Sequence, residues 1–324
     1  MPFLLRSLKL PEDYAQLAQL FQLIRNEPVD AEALAQEDRS LPAQNRLSRS
    51  NSGLLEGFGR ERVVVESDSD GIIGYGVAWR APWTDPGALA SLYCVHPDFC
   101  KQGVGQMILA HIEKWAQDIG AKLLMSEVKD WVPDSLPFFL NRGYTVDAHV
   151  FELVLDLQSF DRTLLSAIQE AGNDRDIRYL ALGEASDTET RQKLYDLYRE
   201  TLIDNPGFVG SLPDFDQWQT EALPNDRQVH VFVAVDQDRF VGVTTLFATD
   251  EPGLFYTDYT GVSKAYRGRR IATTLKLRSI QAAWEAGAHT LYTDTEAGNK
   301  PMQAVNRGLG YVPGRGAYRI LKHI

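Results

Sequence analysis

The chain has 324 residues, room for two domains of about 150 residues each, and its 44% hydrophobic and 24% charged residues exclude a disordered or collagen-like polymer. Cys94 and Cys100 are its two cysteines, too few for a disulfide scaffold and consistent with a reducing compartment. The 33 basic and 44 acidic residues leave a net charge of −11, a balance that repels nucleic acid.

Apolar runs such as Val231 to Val235 fall far short of the ~20 residues that span a bilayer. The opening MPFLLRSLKLPED lacks a secretory pattern. The expectation is a cytoplasmic protein with neither membrane nor nucleic acid as partner. The six histidines are scattered, with no HExxH and no CxxC, so no metal site is expected.

In chain order, residues Phe3 to Leu10 read as a strand and Tyr14 to Arg25 as a helix with apolar residues at Leu17, Leu20, Phe21 and Ile24. RVVVES and IIGYGVAW flank DSDG, a hairpin signal. ALASLYCV is a strand, and Gly103 to Asp118 an amphipathic helix that stops before Gly120. AKLLMSEV is a strand, a short helix ends near Asn141, and Tyr144 to Leu157 is a strand again.

The second half repeats this order. IRYLAL is a strand and ETRQKLYDLYRETL a helix, and VHVFVAV and FVGVTTLFA form a hairpin around DQDR. LFYTDYTGV is a strand, Ile271 to Ala286 a helix, HTLYTDT a strand, Lys300 to Leu309 a short helix, and Tyr311 to Leu321 a last strand or pair. At a spacing of 167 residues Val95 falls on Val262, Phe99 on Tyr266, Gly120 on Gly287 and Gly143-Tyr144 on Gly310-Tyr311. A period this long means two whole domains. The expected division is 1–157 and 176–324, with a linker at 158–175.

The chemistry-bearing segment is the passage from strand to helix, LYCVHPDFCKQGVGQMIL in one half and DYTGVSKAYRGRRIATTLK in the other. A tight glycine-rich or basic turn that opens a helix aims free backbone N–H groups and the positive helix end at an anion. Lys264, Arg267, Arg269 and Arg270 are the clearest basic cluster in an acidic chain. The physical reading is a phosphate site, present in two copies.

With these residues the sequence resembles the GCN5-related N-acetyltransferase superfamily over essentially its whole length, as two tandem copies. The family pattern is a strand, V-x-P-x-Y-R-G-x-G-x-G or A, a helix, a second strand, then N-x-x-A-x-x-x-Y and G-F or G-Y. The layout is similar to that of tandem members such as mycothiol synthase, with no residue that singles out mycothiol. The resemblance implies a mixed α+β fold, each domain a splayed, mostly antiparallel sheet with helices on both faces. It also implies acetyl-CoA bound by its pyrophosphate at the turn, and acetyl transfer to an amine across the splayed strands.

The copies depart from the pattern differently. The first keeps Val95, Pro97, Phe99, Gly103 and Gly105 but has Cys100 for the arginine and Phe139 for the tyrosine. The second keeps Val262, Tyr266, Arg267, Gly268, Ala272 and Asn299 but has Arg270 for a glycine and Asn306 for the tyrosine. The second is therefore expected to be catalytic. Its cofactor-binding set is Val262, Arg267, Gly268, Arg269, Arg270, Ile271, Ala272 and Asn299, with Val95, Gly103 and Gly105 as the weaker counterpart.

Acetyl transfer needs a proton acceptor for the amine. Asp258 is the first candidate, expected to share a strand face with Val262 by period 2, and Glu296 is the second. Asn306 would hold the sulfur or the pantetheine arm. Tyr256, Tyr259 and Tyr311 are substitutes for the missing tyrosine acid. Acceptor binding is expected near Asp13, Glu32, Glu37, Asp38, Asp204, Asp214 and Asp216, and Trp79, Trp83, Trp131 and Trp218 are candidates to line its cavity. The partner expected is a small-molecule amine, taken by a monomer or homodimer. The alternative is a non-catalytic acyl-CoA-binding or interaction protein with degenerate sites.

Overall fold

Val63, Val64 and Val65 show how the first half builds a two-faced sheet. Successive strand residues point to opposite faces. Val63 and Val65 pack with Ile108 and Ile112, while Val64 packs with Leu17, Leu20 and Phe21. In the computed structural model, which describes residues 3–25, 28–40, 46–81, 84–171, 176–183, 187–205, 208, 212–223 and 229–324, helices cover both of these faces.

The first half runs β1 (Leu4–Ser7), α1 (Tyr14–Arg25), α2 (Ala31–Ser40), β2 (Arg46–Arg49), β3 (Leu55–Ser67), β4 (Gly71–Arg80), β5 (Ala88–Val95), α3 (Val104–Asp118), β6 (Leu123–Lys129), α4 (Ser135–Leu140) and β7 (Thr145–Asp156). Helix α3 buries Val104, Ile108, Leu109, Ile112 and Ala116, an i, i+4 stripe. It lies so close to β4 that a Cβ at Gly76 would meet Ile108 Cγ2 at 2.1 Å, which explains a glycine in a strand interior. Order across the sheet is β1-β3-β4-β5-β6, with β2 beside β3. Neighbours are antiparallel except β5 and β6.

The second half runs α5 (Ser166–Ala171), β8 (Arg178–Leu182), α6 (Thr188–Leu202), α7 (Phe215–Ala222), β9 (Val229–Asp236), β10 (Arg239–Ala248), β11 (Leu254–Val262), α8 (Ile271–Glu285), β12 (Thr290–Glu296), α9 (Lys300–Gly308) and β13 (Val312–His323). Val231, Val233 and Val235 face α6 and α7, whereas Phe232 and Ala234 face Ile271 and Leu275 of α8. Sheet order is β8-β9-β10-β11-β12-β7, again with one parallel pair, β11 and β12.

Contacts group Met1–Asp147 with Tyr318–Ile324 as one unit and Ala148–Ala317 as the other. This differs from the expected linker at 158–175, of which 172–175 lie outside the described residues. The reason is strand pairing. β7 is bonded to β12 from Val150 to Asp156, so it belongs to the second unit. The end of β13 completes the first, with Ile320 fully buried in its core and Ile324 N donating to the Lys122 carbonyl at 3.0 Å. β2, α2 and α7 are elements absent from the sequence expectation, and the region Tyr311 to Leu321 forms one strand rather than a pair.

In each unit the parallel pair parts early. β5 pairs with β6 only from Ala88 to Ser91, yet continues to Val95. β11 pairs with β12 only from Leu254 to Tyr256, yet continues to Val262. Both sheets are thus splayed, with a V that opens toward the strand-to-helix turn.

Candidate active site

The two turns share one backbone. His96 N and Ser263 N donate to Ile73 and Val241 at 2.8 and 2.9 Å, and a 3-10 turn follows in each. Lys101 (φ 63°) and Gly103 (φ 93°) adopt left-handed conformations, as do Gly268 (φ 80°) and Arg270 (φ 60°) at the equivalent positions. Each copy therefore keeps one glycine and forces one non-glycine residue into αL, at a cost of roughly 1–2 kcal/mol. The first amide to close each helix is Met107 or Thr274, onto Gly103 or Arg270, both at 3.0 Å. The N–H groups ahead of it have no intrahelical partner by helix geometry. A Cβ at Gly103 or Gly268 would meet nothing within 4 Å, so the outer side of both turns is open to a phosphate.

The cations differ. In the first unit Lys101 Nζ is bridged to Asp134 at 2.9 Å. In the second, Arg267 Nε donates to the Val262 carbonyl at 3.1 Å and its Nη2 meets Asp204 at 2.9 Å. Arg269 lies over the Tyr266 ring, whose hydroxyl donates to Asp236 at 2.7 Å. Arg270 is exposed, while the Ile271 side chain is buried, so Ile271 offers only its backbone. Ala272 is half-buried on α8, and a Cβ at Gly105 on α3 would make only ordinary contacts with Phe138 and Val95.

Asp258 does not share a face with Val262. Thr245 stands opposite Tyr259 and Leu246 opposite Thr257, which leaves Asp258 as the extra residue of a β-bulge. The bulge breaks the period-2 alternation. Val262 packs toward Ile271 and Leu275 of α8, whereas Asp258 lines a narrow cleft on the other face with Leu194, Tyr198, Trp218, Val243 and Tyr259. Burial pushes the Tyr198 phenol pKa up, with the Asp258 charge adding to it. Burial, Asp294 and Asp258 together do the same at Tyr256. The cleft thus joins an exposed carboxylate to an aromatic wall, and the Trp218 indole N–H in that wall is buried without an acceptor.

Asn306 is fully buried, and neither its Oδ1 nor its Nδ2 has a protein partner. Thr257 Oγ1, Thr295 Oγ1 and Tyr311 Oη are likewise buried and unpartnered. The Thr257 carbonyl accepts from Thr293 Oγ1 at 2.8 Å, just past the last paired residue of β11. Thr257 thus lies at the apex of the V, and Tyr311 N donates to the Asn306 carbonyl at 3.1 Å. At the matching positions the first unit has Ala90, Val128, Phe139 and Tyr144. There Phe139 stacks with Tyr93, Phe138 and Tyr144 at centroid distances of 5.1–5.4 Å, and the Tyr93 and Tyr144 hydroxyls are also buried without a partner.

Other sequence candidates have structural work. Glu296 accepts from Gly298 N at 2.6 Å and closes the turn into α9. Asn299 caps that helix, accepting from Met302 N at 3.3 Å. Asp214 caps α7. Asp13 is buried against Arg6 at 2.7 Å, and Asp38 holds Arg60, Arg62 and Tyr14 at 2.8, 2.5 and 2.8 Å. Glu32 pairs with Arg39, while Glu37 and Asp216 are exposed. Trp131 is exposed and Trp79 half-buried, and Trp83 lies outside the described residues. Sequence reading missed Tyr198, Thr257, Thr295 and Lys276, and the last was detectable as a lysine in step with Ile280 and Ala283 on the inner side of α8. Among the described residues no group of three or more His, Cys, Asp or Glu is placed to hold a metal, and no helix is long and apolar enough to cross a membrane.

Splayed sheet, anion-ready turn and polar apex define an acyltransferase fold of the acetyltransferase (GNAT) class. The chain belongs to the acetyltransferase (GNAT) family, whose model matches residues 20–144 and again 191–311. N-alpha-acetyltransferase 30 of Schizosaccharomyces pombe is 31% identical over 91 residues, 27% of this chain, and the match spans 61% of that relative. A GCN5-related N-acetyltransferase from Sphaerobacter thermophilus shares the fold with TM-score 0.66 and 16% identity, covering 99% of this chain and 95% of the other. A tandem GNAT protein from the clavulanic acid biosynthesis pathway does so with TM-score 0.64 and 17% identity, covering 99% and 98%.

Proposed function

We propose that the second unit transfers acetyl from acetyl-CoA to a primary amine of a small molecule, in the cytoplasm and as a monomer or homodimer. The observation that carries this reading is the fully buried Asn306, whose side-chain oxygen and nitrogen both lack a protein partner, where the first unit has Phe139. Buried polar groups are almost always hydrogen-bonded, so the Asn306 amide fits a ligand, while the Phe139 ring at the matching position offers no polar group. The open turn with Arg267, Gly268, Arg269 and Arg270 suits the pyrophosphate. Neutralising charge there is worth roughly twice a neutral hydrogen bond.

The mechanism follows from the two faces of β11. The donor lies on the α8 side, with its pyrophosphate at residues 268–272 and its thioester at the apex. Between them the stretch of β11 beyond Tyr256, unpaired with β12, offers backbone groups to the pantetheine arm and the thioester oxygen. The acceptor lies in the Tyr198–Trp218 cleft, where Asp258 takes its proton. The bulge lets a residue of the cofactor strand reach the acceptor face. An acidic, aromatic cleft favours a cationic amine. Glu296, closing a turn, is the second choice of base.

Binding without turnover is the competing reading, and Asn306, which is no acid, favours it. Thermal shift with coenzyme A and acetyl-CoA, then free-thiol release across an amine panel, separates the two. Stabilisation plus thiol release with an amine supports the enzyme. Stabilisation with no release from any amine supports the binding protein.

A further inference from the structure

Lys276 is 1% exposed in the middle of α8, with its Nζ 5.2 Å from the centroid of the Tyr311 ring. At the 167-residue spacing its counterpart is Leu109, a core residue of the first unit. One copy thus places a methyl-ended side chain where the other places an amine. Burial alone moves this amine, pushing its pKa down to about 7, and no carboxylate contributes. Tyr311 brings the amine to the apex. Burial pushes its phenol up while the Thr257 hydroxyl opposes, which puts those two hydroxyls together. Tyr311 stands just before β13 and its N donates to the Asn306 carbonyl at 3.1 Å, while Thr293 Oγ1 of β12 donates to the carbonyl of Thr257 on β11 at 2.8 Å. None of them is acidic at neutral pH.

The buried amine has no carboxylate beside it to compensate its charge. Resting on the reading that the second unit holds the acyl donor, we propose that Lys276, whose amine lies over the Tyr311 ring, offsets the negative charge of the departing thiolate. As the acceptor nitrogen bonds to the acyl carbon, the C–S bond breaks and its electron pair goes to sulfur. Asp258 takes one proton from the acceptor and passes it to solvent, and the sulfur takes a proton from solvent as the products leave.

The test is the titration of the thiol of coenzyme A bound to the full chain, followed by thiolate absorbance in the wild type, Lys276→Met and Lys276→Arg. In the wild type the bound thiol is expected to titrate at least one pH unit below free coenzyme A, a tenfold gain in thiolate. Lys276→Met should return it to the free value or above, and Lys276→Arg should keep part of the shift. A bound thiol unshifted in the wild type, or equally shifted in Lys276→Met, overturns the inference while leaving the site intact. Failure of the wild type to bind coenzyme A by calorimetry overturns the site itself. If Lys276→Met does not fold, the wild-type shift against free coenzyme A decides alone.

Discussion

Lys276 carries a stability cost whose pH dependence is fixed in sign. Its pKa falls from the usual 10.5 to about 7 on folding, so between those values the unfolded chain binds the extra proton. Stability is then fully present above the unfolded pKa and is lost as pH falls toward 7, at up to about 1.4 kcal/mol per unit. Lys276→Met should therefore raise the denaturation midpoint, more at pH 7 than at pH 10. An equal gain at both would mean the amine is not buried. Asp258→Asn is expected to lower turnover by ~10²–10⁴, the usual worth of a general base, whereas Asn306→Ala, losing neutral hydrogen bonds, should cost at most about tenfold. Steady-state thiol release with the identified acceptor measures both. Asp258 is a candidate from its place on the strand before Val262, and Asn306 from the family's tyrosine position. The face of Asp258 was not legible in the sequence, because a bulge is set by cross-strand register with β10 and leaves no local signature.

At the scale of elements, the turns show geometry outlasting residue type. Both turns hold two αL residues, although the glycine has moved from the second to the first of the two positions. Arg270→Gly should relieve the strain and stabilise the protein by roughly 1–2 kcal/mol. Chemical denaturation would show it, and no gain would mean the αL residue costs nothing here. Arg267→Ala removes a charged donor at the turn and should weaken coenzyme A binding by about 1.5–3 kcal/mol by calorimetry. Release of Asp204 partly offsets that, since Asp204 holds the guanidinium when no phosphate is there. Unchanged affinity would remove Arg267 from the site. Elements with strong periodicity were legible almost to the residue, as in α1 and β11. α2, AEALAQEDRS, and α7, FDQWQTEA, are polar and short, so their apolar stripes are too weak to read. Asn299 matches a family position and Glu296 ends the next strand, yet the local need to close and cap α9 employs them, which only contacts reveal.

At the scale of the molecule, the internal repeat announced two like folds, and the structure has them. The exchange of strands was not legible, because a strand's hydrophobic pattern says which face is buried and not which neighbour it pairs with. Ending the chain after Ala317 should expose the site of Ile320 and cut the bond from Ile324 to Lys122. Loss of hydrogen-exchange protection in β6, with β9 and β10 still protected, would confirm that the tail serves the first unit. Equal protection in β6 would refute it. The central claim is that the second unit alone holds the acyl donor, since its buried Asn306 amide is unpartnered where the first unit has the Phe139 ring. Its most direct test is a crystal structure of the full chain with acetyl-CoA. The expected result is one molecule per chain, with pyrophosphate on residues 268–272 and the thioester beside Asn306, and a donor bound only at the Gly103 turn would contradict it.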